Sequence, residues 1–103
     1  MDRIEKLKEF IAADSTDNFS KHALALEYIK LGDDKMARTF FEEILQQDPG
    51  YIGSYYHLGK LLERNGESKA ALDVYQQGMV QAQKAGNAHA LGELRSAYEE
   101  LED

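Results

Sequence analysis

The chain has 103 residues, the length of one small domain, carries a formal net charge of −7 and contains no cysteine. The missing cysteines exclude disulfides, thiolate metal sites and a cysteine nucleophile, and the acidic balance argues against nucleic-acid binding, which needs basic patches. The N-terminal segment is charged and periodic, and no apolar stretch approaches the roughly 20 residues that span a bilayer. The expectation is therefore a soluble, cytoplasmic protein with no signal peptide.

One proline and many Leu, Ala, Glu, Lys and Gln residues favour helix throughout, and no strand pattern interrupts them. The fold class expected is all-α. A first helix over about residues 2–13 places Ile4, Leu7, Phe10 and Ile11 on one face. The cluster Ser15-Thr16-Asp17-Asn18 ends it and starts a second helix over about 18–31, with a stripe of Leu24, Tyr28 and Leu31. Gly32 is its natural C-cap, and Asp33-Asp34 place acid at the start of a third helix. That helix would bury Met36, Ala37, Phe40, Phe41, Ile44 and Leu45 and stop at Pro49. A fourth, over about 52–65, would bury Tyr55, Leu58, Leu61 and Leu62, capped by Gly66. A fifth runs from near Ser68 to about Ala85, burying Ala71, Leu72, Tyr75 and Met79, with Gly78 allowing a close helix contact. The last, over about 88–101, carries Leu91, Leu94, Tyr98 and Leu101 on one face.

The segment from Tyr28 to Pro49 largely reappears 34 residues later: Leu24 falls on Leu58, Ala25 on Gly59, Gly32 on Gly66, Ala37 on Ala71, Phe41 on Tyr75 and Leu45 on Met79. Read one period backwards, Leu7, Phe10 and Ile11 fall on Phe41, Ile44 and Leu45. A fixed period of this length marks helix pairs that bury their apolar faces by stacking. The divisions expected are a half-repeat helix over 2–16, repeats over 18–51 and 52–85, and a capping helix over 87–102, all in one domain.

These residues resemble the tetratricopeptide repeat family, in its small stand-alone bacterial form. One unit reads Leu24-Ala25, Tyr28, Gly32, Ala37, Phe41, Pro49, and the next Tyr55, Leu58-Gly59, Leu62, Gly66, Ala71, Tyr75. Two positions depart from the pattern. Lys21 stands where a large apolar residue belongs, with Phe19 expected to cover that spot, and Gln83 replaces a proline. The resemblance implies a right-handed α-solenoid of about six helices in antiparallel pairs. It also implies a non-catalytic interaction module whose concave face, lined by the first helix of each unit, holds a peptide or a partner's helix.

The sides of those first helices that turn away from the core stripe carry His22, Leu26, Ile29 and Lys30, then Tyr56, Lys60, Glu63 and Arg64, then His89. The peptide- or protein-binding set expected is His22, Leu26, Ile29, Lys30, Tyr56, Lys60, Arg64 and His89. Leu26 and Ile29 supply apolar anchoring, and Tyr56 is an aromatic suited to interfaces. Lys30, Lys60 and Arg64 gather positive charge, so an acidic or C-terminal segment is the partner expected. The bland alternative is a solvated helix face with two residues tucked under a neighbour. The Lys and Asn residues with which some family members grip a C-terminal carboxylate are absent, because His22, Leu26 and His57 stand in their places.

His22, His57 and His89 share no metal-ligand spacing, no serine lies in a nucleophile motif, and no glycine loop cradles phosphate. No metal, cofactor or enzymatic activity is expected. A structural rival remains: Tyr51, Ile52 and Phe40 are large residues without a certain place in the core and could form a self-association patch, giving a homodimer.

Overall fold

The computed structural model describes residues 2–102, and every regular element among them is a helix. The helices are α1 (Arg3–Ala13), α2 (Asn18–Lys30), α3 (Asp34–Gln47), α4 (Gly53–Arg64), α5 (Ser68–Lys84) and α6 (Ala88–Glu102). This is an all-α helical-repeat fold, with each helix end within two residues of its expected place. The chain forms two compact units, Met1–Gln47 and Asp48–Asp103. None of the described helices is long and apolar enough to cross a membrane.

Local chemistry sets the boundaries. The Asp2 and Asp17 carboxylates accept from the Glu5 and Ser20 amides at 2.8 and 3.0 Å, satisfying donors that the first turns of α1 and α2 would leave orphaned. At the end of α2 the Gly32 amide donates to the Ile29 carbonyl and the Asp33 amide to the Tyr28 carbonyl, a Schellman turn. That turn needs a left-handed residue, and Gly32 supplies it at φ +80°. Gly66 makes the same turn after α4, and Gly86 repeats it after α5. Asp33 and Asn87 then cap α3 and α6 by accepting from the Met36 and Ala90 amides.

In the first unit α2 packs against both α1 and α3. Its core holds Leu7, Ala23 and Leu24, with Ile4, Ile11, Tyr28 and Phe40 packed around them. Three expectations are corrected. Phe10 is exposed because α1 has α2 against it and can cover only a narrow stripe, centred on Leu7. Leu31, the C-cap of α2, is 66% exposed although its amide still bonds back to the Glu27 carbonyl, so the buried side of the stripe ends before it. Met36 is also exposed, one turn into α3, while Ala37 and Phe41 beside it are fully buried.

Lys21 departs furthest from expectation. Its side chain is only 1% exposed, and Phe19, expected to cover that position, is 73% exposed. Lys21 fills the apolar position itself, with its stem in the core and its Nζ 3.0 Å from Glu43 Oε1 and 3.1 Å from Gln47 Oε1 on α3.

In the second unit α5 packs against α4 and α6. The α4–α5 seam is reciprocal. A Cβ on Gly59 would meet the Tyr75 ring, and one on Gly78 would meet Tyr55, so each helix offers a glycine to the other's tyrosine. Both hydroxyls find acceptors, Tyr55 the Pro49 carbonyl at 2.5 Å and Tyr75 the Glu63 carboxylate. Burial and the neighbouring carboxylates push both phenols above their ordinary range.

Candidate functional site

In the first unit the expected surface residues lie on α2. Leu26 and Ile29 are half-buried, and Lys30 is exposed with its Nζ 3.1 Å from Glu27 Oε2. Glu27 also takes Arg3 Nε of α1 at 3.4 Å, so it is held from two sides. The His22 ring meets Phe41 of α3 edge-on, with centroids 5.5 Å apart, and so leans toward α3. Phe19 precedes His22 by three residues and Leu26 by seven, which puts this exposed aromatic on the same side of α2. Sequence reasoning assigned it to the core because its neighbour Lys21 left an apolar vacancy there.

In the second unit α4 carries a chain of polar contacts. Lys60 Nζ lies 5.7 Å from the centroid of the Tyr56 ring and 3.6 Å from Glu63 Oε2, and Glu63 accepts in turn from the Tyr75 hydroxyl. The chain thus runs from a fully buried tyrosine to the surface through side chains that fix one another. Tyr56 and Lys60, named from sequence as separate binding residues, are in contact. Arg64 ends the same helix in the last-turn position that suits a cation.

Beside this chain, a hollow of about 300 Å³ opens between α4 and α6. Ile52, Ala90 and Leu94 give its lining apolar surface, Tyr56 and His57 line the α4 side, and Asn87 and Glu93 lie on the α6 side. His89 lies outside it, 91% exposed, with its Nε2 4.0 Å from Glu93 Oε2. Sequence reasoning missed the hollow and with it Glu93 and Ala90. Its signals were small residues, Gly53 and Ala90, on helices more than thirty residues apart. Phe40 leaves the suspected self-association patch, since its ring stacks on Tyr28 with centroids 6.0 Å apart and planes 9° off parallel. Among the described residues no three His or carboxylate side chains gather as a metal site.

Burial pushes the His57 imidazole below its ordinary value of 6.5, and Glu93 only partly opposes that. The unfolded chain therefore takes up a proton at a higher pH than the folded one. The stability gained from neutral His57 is full above pH 6.5 and is lost as pH falls toward its lowered folded value. Thermal unfolding from pH 8 to pH 5 is expected to show the melting temperature falling below pH 6.5, with a shallower fall in His57→Gln. Equal slopes in the two proteins would refute this.

Helix pairs at a fixed period, joined by glycine Schellman turns, define a helical-repeat protein. Models of the tetratricopeptide repeat match at residues 20–51 and 40–73. A tetratricopeptide repeat domain protein from Salinibacter ruber, solved by crystallography, is 42% identical and superposes with a TM-score of 0.80, over 84% of this chain and 96% of that one. A TPR repeat-containing protein of Pseudomonas aeruginosa is 26% identical over 91 residues, 88% of this chain and 87% of its own. The TPR2B domain of yeast Sti1, solved in a complex with pHsp70, reaches a TM-score of 0.88 at 16% identity, over 96% of this chain and 79% of that one, a likeness of fold alone. The chain belongs to the tetratricopeptide repeat family. Repeats of this family are general protein–protein interaction modules and are typically non-catalytic scaffolds.

Proposed function

We propose that this protein is a non-catalytic interaction module that holds a peptide or protein segment on the outward sides of its first helices, with the α4–α6 surface as the main contact. The observation that carries this reading is the chain Tyr56–Lys60–Glu63–Tyr75 beside the hollow. Its side chains already contact one another, which would limit the entropy lost when a partner binds. On the other unit, Phe19, Leu26 and Ile29 offer apolar contact along α2.

An acidic or C-terminal segment, expected from Lys30, Lys60 and Arg64, would have to displace Glu27 from Lys30 and Glu63 from Lys60. The geometry therefore favours a partner held first by apolar contact and second by these cations. The test is an array of overlapping peptides from the host proteome. Tyr56→Ala should weaken the strongest spots by tenfold or more, since an interfacial tyrosine is commonly worth about 2 kcal/mol. An unchanged pattern would reject the reading, provided circular dichroism shows the variant folded.

A second reading, self-association, draws support from Phe19, a 73% exposed aromatic. Light scattering at micromolar concentration decides it. A dimer that Phe19→Ser converts to monomer would support it, and a monomeric wild type would remove it.

A further inference from the structure

The hollow between α4 and α6 combines features that select one kind of side chain, and this inference rests on the interaction reading above. Its lining includes the apolar Ile52, Ala90 and Leu94, yet also Asn87 and a carboxylate, Glu93. The nearest lysine on α4 is already engaged, with Lys60 lying over Tyr56 and beside Glu63. The His89 imidazole stands 4.0 Å from Glu93, at the outer limit of an ion pair, and is almost wholly in solvent. Among the residues that line the hollow, Glu93 is the one carboxylate.

An acidic side chain entering the hollow would be repelled by Glu93. A purely apolar one would cover part of that carboxylate, whose side chain is 51% exposed, without offering it a partner. A long basic side chain does neither, since its methylene stem covers apolar surface while its charged head meets the carboxylate. Arginine fits better than lysine, because its guanidinium is more weakly hydrated and can pair in bidentate fashion with a carboxylate. At about 300 Å³ the hollow lies at the small end of ligand sites, the scale of one side chain and not of a cofactor.

We propose that the hollow between α4 and α6 receives an arginine side chain of a partner polypeptide, its stem on Ile52, Ala90 and Leu94 and its guanidinium on Glu93. The probes are pools of capped heptapeptides, randomised except for a central arginine, citrulline, norleucine or glutamate. Each is titrated into the ¹⁵N-labelled protein while the amides of Tyr56, Ala90 and Glu93 are followed. The arginine pool should bind at least about fivefold more tightly than the citrulline pool, the scale of one partly exposed charge pair. Glu93→Gln should erase that preference, and Ala90→Leu, which fills the hollow, should abolish the shifts for every pool. If the citrulline or glutamate pool matches arginine while α4 and α6 amides still shift, the basic anchor is wrong and the interaction reading stands. If no pool moves any amide on α4 or α6, both fall.

Discussion

Replacing Gly59 with alanine is expected to destabilise the Asp48–Asp103 unit by about 2 kcal/mol, and replacing it with valine by more. A Cβ at this position would lie 2.1, 2.6 and 2.7 Å from three carbons of the Tyr75 ring, far inside contact distance. The ring has nowhere to retreat, since Tyr75 is fully buried and its hydroxyl is held by Glu63. Alanine recovers about 1 kcal/mol of helix propensity over glycine, which offsets part of the overpacking cost but does not reverse it. Gly92 on α6 is the internal control, because a Cβ there meets nothing within 4 Å. Gly92→Ala should therefore stabilise by about 0.5–1 kcal/mol. Urea unfolding reads both, and a Gly59→Ala midpoint equal to wild type would mean that α4 and α5 do not approach as described.

Glu43→Ala is expected to cost about 1–3 kcal/mol, and Lys21→Met to cost nothing or to stabilise. The Lys21 ammonium is taken out of water and meets Glu43 and Gln47. Deleting Glu43 leaves a buried charge with one neutral acceptor. The Glu43 side chain is itself 48% exposed, so water can repair part of the loss and the effect stays below that of a fully buried pair. Methionine keeps an unbranched apolar stem of similar length and removes the desolvation cost altogether. In the double variant the Glu43→Ala penalty should vanish, which a double-mutant cycle by urea unfolding measures directly. A penalty that persists without Lys21 would show that Glu43 acts through some other contact.

Much of the fold was legible because its determinants are local. The 34-residue coincidence of Leu24 with Leu58, Gly32 with Gly66 and Phe41 with Tyr75 announced paired helices. Gly32 and Gly66 sit at left-handed turns as their positions after apolar stripes require. Gly78 serves the close contact expected of it. The candidate site was less legible. Tyr56 and Lys60 were named, but their contact, and the tether from Glu63 to Tyr75, depend on rotamers that no spacing rule supplies. Phe19 and Lys21 were exchanged, since an apolar residue was expected inside and a charged one outside.

Sequence alone determined the helices, their turns and their family, because caps, glycine turns and apolar periodicity act within a few residues along the chain. Tertiary structure alone decided that Lys21 lies inside, where Glu43 and Gln47 of another helix satisfy its ammonium, and that Phe19 stays in solvent. It also decided that Ile52 and Tyr56 share a hollow with Ala90 and Glu93. These outcomes turn on which side chains from distant parts of the chain come within contact distance. Packing and desolvation set that distance, and neither is written in the pattern of any single helix.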